Sequence, residues 1–142
     1  MEITAEEPRE MNQNAKSPEK RYDILIISDD VVGDKMAGPG IRAWELSRVL
    51  SGTFKVILAI PDYSPTPAND SFFAGLPFDV VRYAVDDHRL VRHIAGKSRI
   101  VLFQGFVLEK FPELRDLPAV LIADLYVPFV IENVFAQKWK VT

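Results

Sequence analysis

The chain has 142 residues, of which 48% are hydrophobic and 26% charged, with a net charge of −3. That describes one globular domain with a single core and leaves no room for two full domains. Cysteine is absent and the only histidines are His88 and His93, which excludes a disulfide framework or thiolate-bound metal and argues against a histidine-rich metal site. The negative balance gives no bulk attraction to nucleic acid or an acidic membrane surface. The apolar runs Ile24 to Ile27, Val56 to Ile60 and Ile100 to Phe103 fall far short of the ~18–20 residues of a membrane span. The opening MEITAEEPRE lacks the basic flank and apolar stretch of a secretory signal, so a cytoplasmic protein without a transmembrane segment is expected.

Residues 1–20 carry five acidic and three basic side chains and almost no large apolar ones, a composition that predicts a disordered polar tail. From 21 onward the pattern is that of a folded domain reaching 142. YDILIISD (Tyr22 to Asp29) reads as a strand covered on both faces. After a Gly-rich loop, Ile41 to Ser51 has helical apolar spacing with Gly52 as a stop. Phe54 to Ile60 reads as a second buried strand. A Pro-rich connection then runs to Pro77, long for a compact domain.

Phe78 to Ala84 reads as a third strand. Asp86 to Lys97 reads as a helix with acidic residues in its first turn and Gly96 near its end. Arg99 to Gly105 is a fourth strand, followed by a short helical stretch cut by Pro112. Pro118 to Leu125 is a fifth strand, and Phe129 to Trp139 has a helical pattern. Strands alternating with helices predict an α/β, Rossmann-like open parallel sheet of order 3-2-1-4-5 with helices on both faces.

In such a sheet, ligands sit beyond the carboxyl ends of the strands where the order reverses, here between the first and fourth strands. The facing loops are Asp29 to Gly40 and Gln104-Gly105-Phe106, flanked by Asp124-Leu125-Tyr126. Gly38 and Gly40 precede a helix, where free N–H groups and small residues suit an anion. Arg42 lies in an early helical turn against the helix dipole. It is placed there either for an anionic ligand or to pair with Asp34 or Glu45.

Residues 38–43 match G-x-G-x-x-A, with Asp62 at a distance suited to a ribose. Asp30 to Ala37 intervene, however, and move the glycines away from the strand end. No Gly-Lys-Ser/Thr completes a P-loop. Ser28-Asp29-Asp30 suggests a receiver domain, but the third strand ends in Tyr83-Ala84 without a phosphoacceptor, and the fifth ends in Asp124 instead of a lysine.

Three segments carry a family resemblance: DILIISDDVVGDKMAGPGIRAWELSRVLSGTFKVILAIP, VLFQGFVLEKFPEL and VLIADLYVPFVIEN. Together they resemble the N-terminal domain of GT-B-fold glycosyltransferases of the family-4-type retaining group, over roughly 22–133. Val127 departs from the pattern, which often has an acidic residue there. The resemblance implies an acceptor-side domain whose partner, a second Rossmann-like domain with a Glu-x7-Glu pair, holds the nucleotide sugar. The chain would then be an N-terminal half, truncated or a separate subunit, inactive by itself. Transfer would retain configuration and need no cofactor and no metal. Partners would be the donor's diphosphate, an acceptor at the cleft, and the C-terminal domain, at a cytoplasmic or peripheral inner-membrane location.

Transfer builds charge on the leaving diphosphate, for which Gly38, Gly40 and Arg42 could supply donors and a cation. Asp124 is the catalytic candidate, able to orient an acceptor hydroxyl or merely to close a loop. Gln104, with Gly105 beside it, could bind a sugar hydroxyl or satisfy loop backbone. His88 and His93, five apart, do not share a helix face. Trp44 and Trp139 suit core or interface packing. Phe72 and Phe73 suit a lipid-like acceptor or the second domain. The alternative is a non-catalytic nucleotide-binding or protein-docking module on the same scaffold. An NAD(P)-dependent enzyme using Asp62 is a third reading.

Overall fold

The computed structural model of the chain describes residues 20–62 and 70–125. The expected polar tail up to residue 19, the helix at 129–139, Trp139 and Val127 lie outside the described residues.

Five strands form one parallel sheet of order β3-β2-β1-β4-β5: β1 (Tyr22–Ile27), β2 (Val56–Pro61), β3 (Asp79–Tyr83), β4 (Ser98–Gln104) and β5 (Val120–Asp124). Register follows the apolar runs, with Ile26 opposite Leu58 on one side and Leu102 on the other. A one-residue slip would turn every side chain to the wrong face. The expected strand order is therefore found, and so are helices on both faces. Ile24, Ile26, Val56, Leu58 and Ile60 pack under Ala43 of helix α1 (Gly38–Leu50). Leu25, Ile27, Ile57, Ala59, Val101 and Phe103 face Val91, Ile94 and Ala95 of α2 (His88–Gly96) and Val107 of the short α3 (Val107–Lys110).

β1 and β2 are almost wholly buried because both neighbours and both layers cover them. β5 is an edge strand, with Val120 60% and Ile122 43% exposed. A fully buried Leu such as Leu25 or Leu58 contributes about 1.5–3 kcal/mol.

Two helix starts differ from expectation. α1 begins at Gly38, three residues early, because Pro39 in the first turn needs no N–H partner and has a helical φ already. α2 begins at His88 and has no acidic residue in its first turn. Asp87 stands just outside as the N-cap, accepting from Leu90 N at 3.1 Å. Pro112 ends the stretch after β4 as expected, leaving α3 and a 3₁₀ segment, Pro112–Asp116.

Candidate functional site

The reversal of strand order lies between β1 and β4, and the loops that leave these strands are locked together. After β1, Ser28 is buried. Its Oγ donates to Asp30 O (2.7 Å) and Asp30 Oδ1 accepts from Val31 N (2.8 Å), which turns the chain sharply. Asp29 then reaches across the sheet. Its Oδ2 accepts from Phe106 N (3.0 Å) and its Oδ1 from Lys110 Nζ (2.6 Å). Gly105 makes this possible. Its φ is +53°, and a Cβ there would run into the Asp29 carboxylate.

Lys110 is thus a residue that the sequence did not bring forward, and the role of Asp29 in holding the two loops together is likewise seen only here. The available signal was the placement of a carboxylate just past β1 and a glycine just past β4, on either side of the reversal.

The first turn of α1 enters the same region. Ala37, its N-cap, offers no side-chain hydrogen bond, so amide groups of that turn lack the usual side-chain partner. Gly40 is buried, and a Cβ there would collide with Val31 O. Its glycine thus has a local reason, the close approach of the β1 loop to the helix. Gly38 lies on the outer side, lining a shallow groove of about 350 Å³ with Ile41, Arg42, Glu45, Leu46 and Val49.

Arg42, Gln104 and Asp124, far apart in sequence, meet here. Asp124 is the register partner of Gln104 at the ends of β5 and β4. Arg42 Nε donates to both its carboxylate oxygens, at 3.0 and 2.7 Å, and Gln104 Nε2 donates to Oδ2 at 3.2 Å. Arg42 therefore pairs with neither expected partner. Glu45 is engaged by Arg48 one helical turn on (2.8 Å), while the approach of β5 to α1 supplies Asp124.

Burial pushes the Asp124 carboxyl up, but the hydrogen bonds from Arg42 and Gln104 and the Arg42 charge outweigh it and hold its pKa below the ordinary value. An ionised, arginine-bound carboxylate of this kind is suited to fixing the guanidinium and is a weak proton acceptor. Gln104 is 3% exposed. Its amide is oriented by Asp124, and its Oε1 is left buried with no hydrogen-bond partner, the one such side-chain atom among the described residues.

The remaining candidates lie elsewhere. Trp44 packs in an aromatic cluster with Phe72 (4.7 Å between ring centroids) and Phe78 (5.4 Å). Phe72 and Phe73 are half-buried in that cluster. Asp62 lies just past β2, its N–H donating to Tyr83 O (2.9 Å). His88 Nδ1 lies 2.6 Å from Glu113 Oε1, and His93 is exposed on α2. Among the described residues no group of three or more His, Cys, Asp or Glu is placed to hold a metal ion, and no helix is long and apolar enough to cross a membrane.

Comparison with known proteins finds no family model, no curated protein and no solved structure that matches the chain.

Proposed function

We propose that this chain is the acceptor-side half of a two-domain glycosyltransferase that moves a sugar from a nucleotide-sugar donor to an acceptor, and that it works with a second, donor-binding domain. The observation that carries the reading is the convergence of Arg42, Gln104 and Asp124 at the carboxyl ends of β4 and β5, beside the uncapped first turn of α1. Ligands of open α/β sheets bind at this end. Asp124 holds the Arg42 guanidinium in place, so that little side-chain freedom is lost when an anion arrives. With Gly38 and the α1 amides, the remaining N–H groups of Arg42 offer donors to a leaving diphosphate. Gln104, buried at the end of β4, supports the site from beneath by donating to Asp124. We place the protein in the cytoplasm or peripherally at the inner membrane face.

The experiment is to incubate the purified chain with a panel of nucleotide sugars, alone and with a candidate donor-binding domain. Transfer or hydrolysis is expected only with both. Robust turnover by this chain alone would overturn the two-domain reading.

A second reading, a non-catalytic nucleotide-binding or docking module, is favoured by one observation. Arg42 is held by Asp124, and Gly40 is required by Val31 O, so both have local reasons that need no ligand. Retained nucleoside-diphosphate binding without any partner domain that restores transfer would favour it.

A further inference from the structure

A second feature lies away from this crevice. An open groove of about 780 Å³ runs between α2 and the 3₁₀ segment Pro112–Asp116, lined chiefly by Arg89, Arg92, His93, Lys97 and Glu113. On a helix of 3.6 residues per turn, Arg89, Arg92 and His93 fall on one face, and Lys97 follows directly as the C-cap. Several cations elsewhere have carboxylate partners: Arg42 with Asp124, Arg48 with Glu45, Lys110 with Asp29. Among the described residues no carboxylate pairs with Arg89, Arg92 or Lys97, and Glu113, the acidic group of the groove, is engaged by His88. Three uncompensated cations in a row, in a chain of net charge −3, form a binding surface for an extended carboxylate-bearing segment. They are strung along a helix about 13 Å long, whereas a single anion would need them to converge.

We propose that this groove is the docking site of the chain's own acidic segment, residues 1–19, which lie outside the described residues. That segment carries Glu2, Glu6, Glu7, Glu10 and Glu19 against Arg9 and Lys16, a side-chain charge of −3, opposite in sign to the groove. It joins the fold at the groove's rim: Lys20 Nζ donates to Gly96 O (2.9 Å) and Arg21 N to Lys97 O (2.9 Å). Covalent attachment at that point gives the segment a high effective concentration over α2, so weak pairings summed along the helix suffice. Any other acidic partner must displace it.

The test uses the full chain and a zero-length carboxyl–amine cross-linker, read by peptide mass spectrometry. Within monomeric species, Glu6, Glu7 or Glu10 is expected to cross-link to Lys97 about tenfold more than to Lys35, which lies in the exposed β1–α1 loop. The preference should vanish at about 0.5 M salt and in the Arg89→Ala/Arg92→Ala chain. In a second arm, a labelled peptide of residues 1–19 is titrated onto the wild-type chain and onto one with all five segment glutamates changed to glutamine. Tighter peptide binding by the substituted chain is expected, because its groove is vacated. Equal cross-linking to Lys97 and Lys35, cross-links confined to covalent dimers, or equal peptide binding by the two chains would each overturn the proposal.

Discussion

Arg42 and Asp124, 82 positions apart, share a hydrogen-bonded ion pair that joins the first turn of α1 to the end of the edge strand β5. Asp124 is nearly enclosed, its side chain 8% exposed, while Arg42 remains 42% exposed. The pair therefore lies between a surface bridge of little worth and a buried one.

Arg42→Ala should destabilise the chain by about 1–2 kcal/mol at neutral pH, because it leaves a nearly buried carboxylate with Gln104 as its remaining side-chain donor. The folded pKa of Asp124 is depressed, so the stability it contributes is fully present above the unfolded value of about 3.9. It is lost as pH falls through the folded value. Urea unfolding of wild type and variant should show the difference between them shrinking below about pH 4. A difference independent of pH would place the effect in lost packing instead.

Gly105→Ala should cost about 1–3 kcal/mol, since alanine must adopt φ +53° and its Cβ meets the Asp29 carboxylate. Asp29→Ala removes the obstacle and the links to Phe106 and Lys110 together. The double variant should therefore be less destabilised than the sum of the singles, a coupling readable in a denaturation cycle.

Two helical glycines should respond in opposite directions. Gly40→Ala should lose stability despite alanine's better helix propensity, because the new methyl collides with Val31 O, a backbone atom. Gly96→Ala meets nothing within 4 Å and should gain about 0.4–1 kcal/mol. Thermal melts of the two variants make the comparison.

Tyr22 OH donates to Asp79 Oδ2 at 2.7 Å. Burial first, then the hydrogen bond to Asp79 and its negative charge, raise the phenol's pKa against a smaller opposing effect of Arg21. A raised folded pKa means stability present below the unfolded value of about 10 and lost as pH climbs through the folded one. Tyr22→Phe should therefore be less stable than wild type at pH 8, with the gap closing on the alkaline side in denaturation curves.

The amino-acid sequence by itself determined the fold class, the strand order and most element boundaries to within two residues. Runs such as Ile24 to Ile27 and Val56 to Ile60 are too apolar to be anything but strands buried on two faces. Parallel strands linked by helices leave few ways to wind. It also brought attention to Arg42, Gln104 and Asp124, since strand-end residues at the reversal are defined by topology.

Only the tertiary structure decided what these residues touch. The partner of Arg42 stands on β5, not in its own loop or helix. Gly40 answers to Val31 O and Gly105 to Asp29, while Phe72 and Phe73 make ring contacts with Trp44. Local periodicity reports which face of an element is buried. Contacts between residues tens of positions apart depend on how strands are placed side by side, and no spacing along the chain encodes that distance.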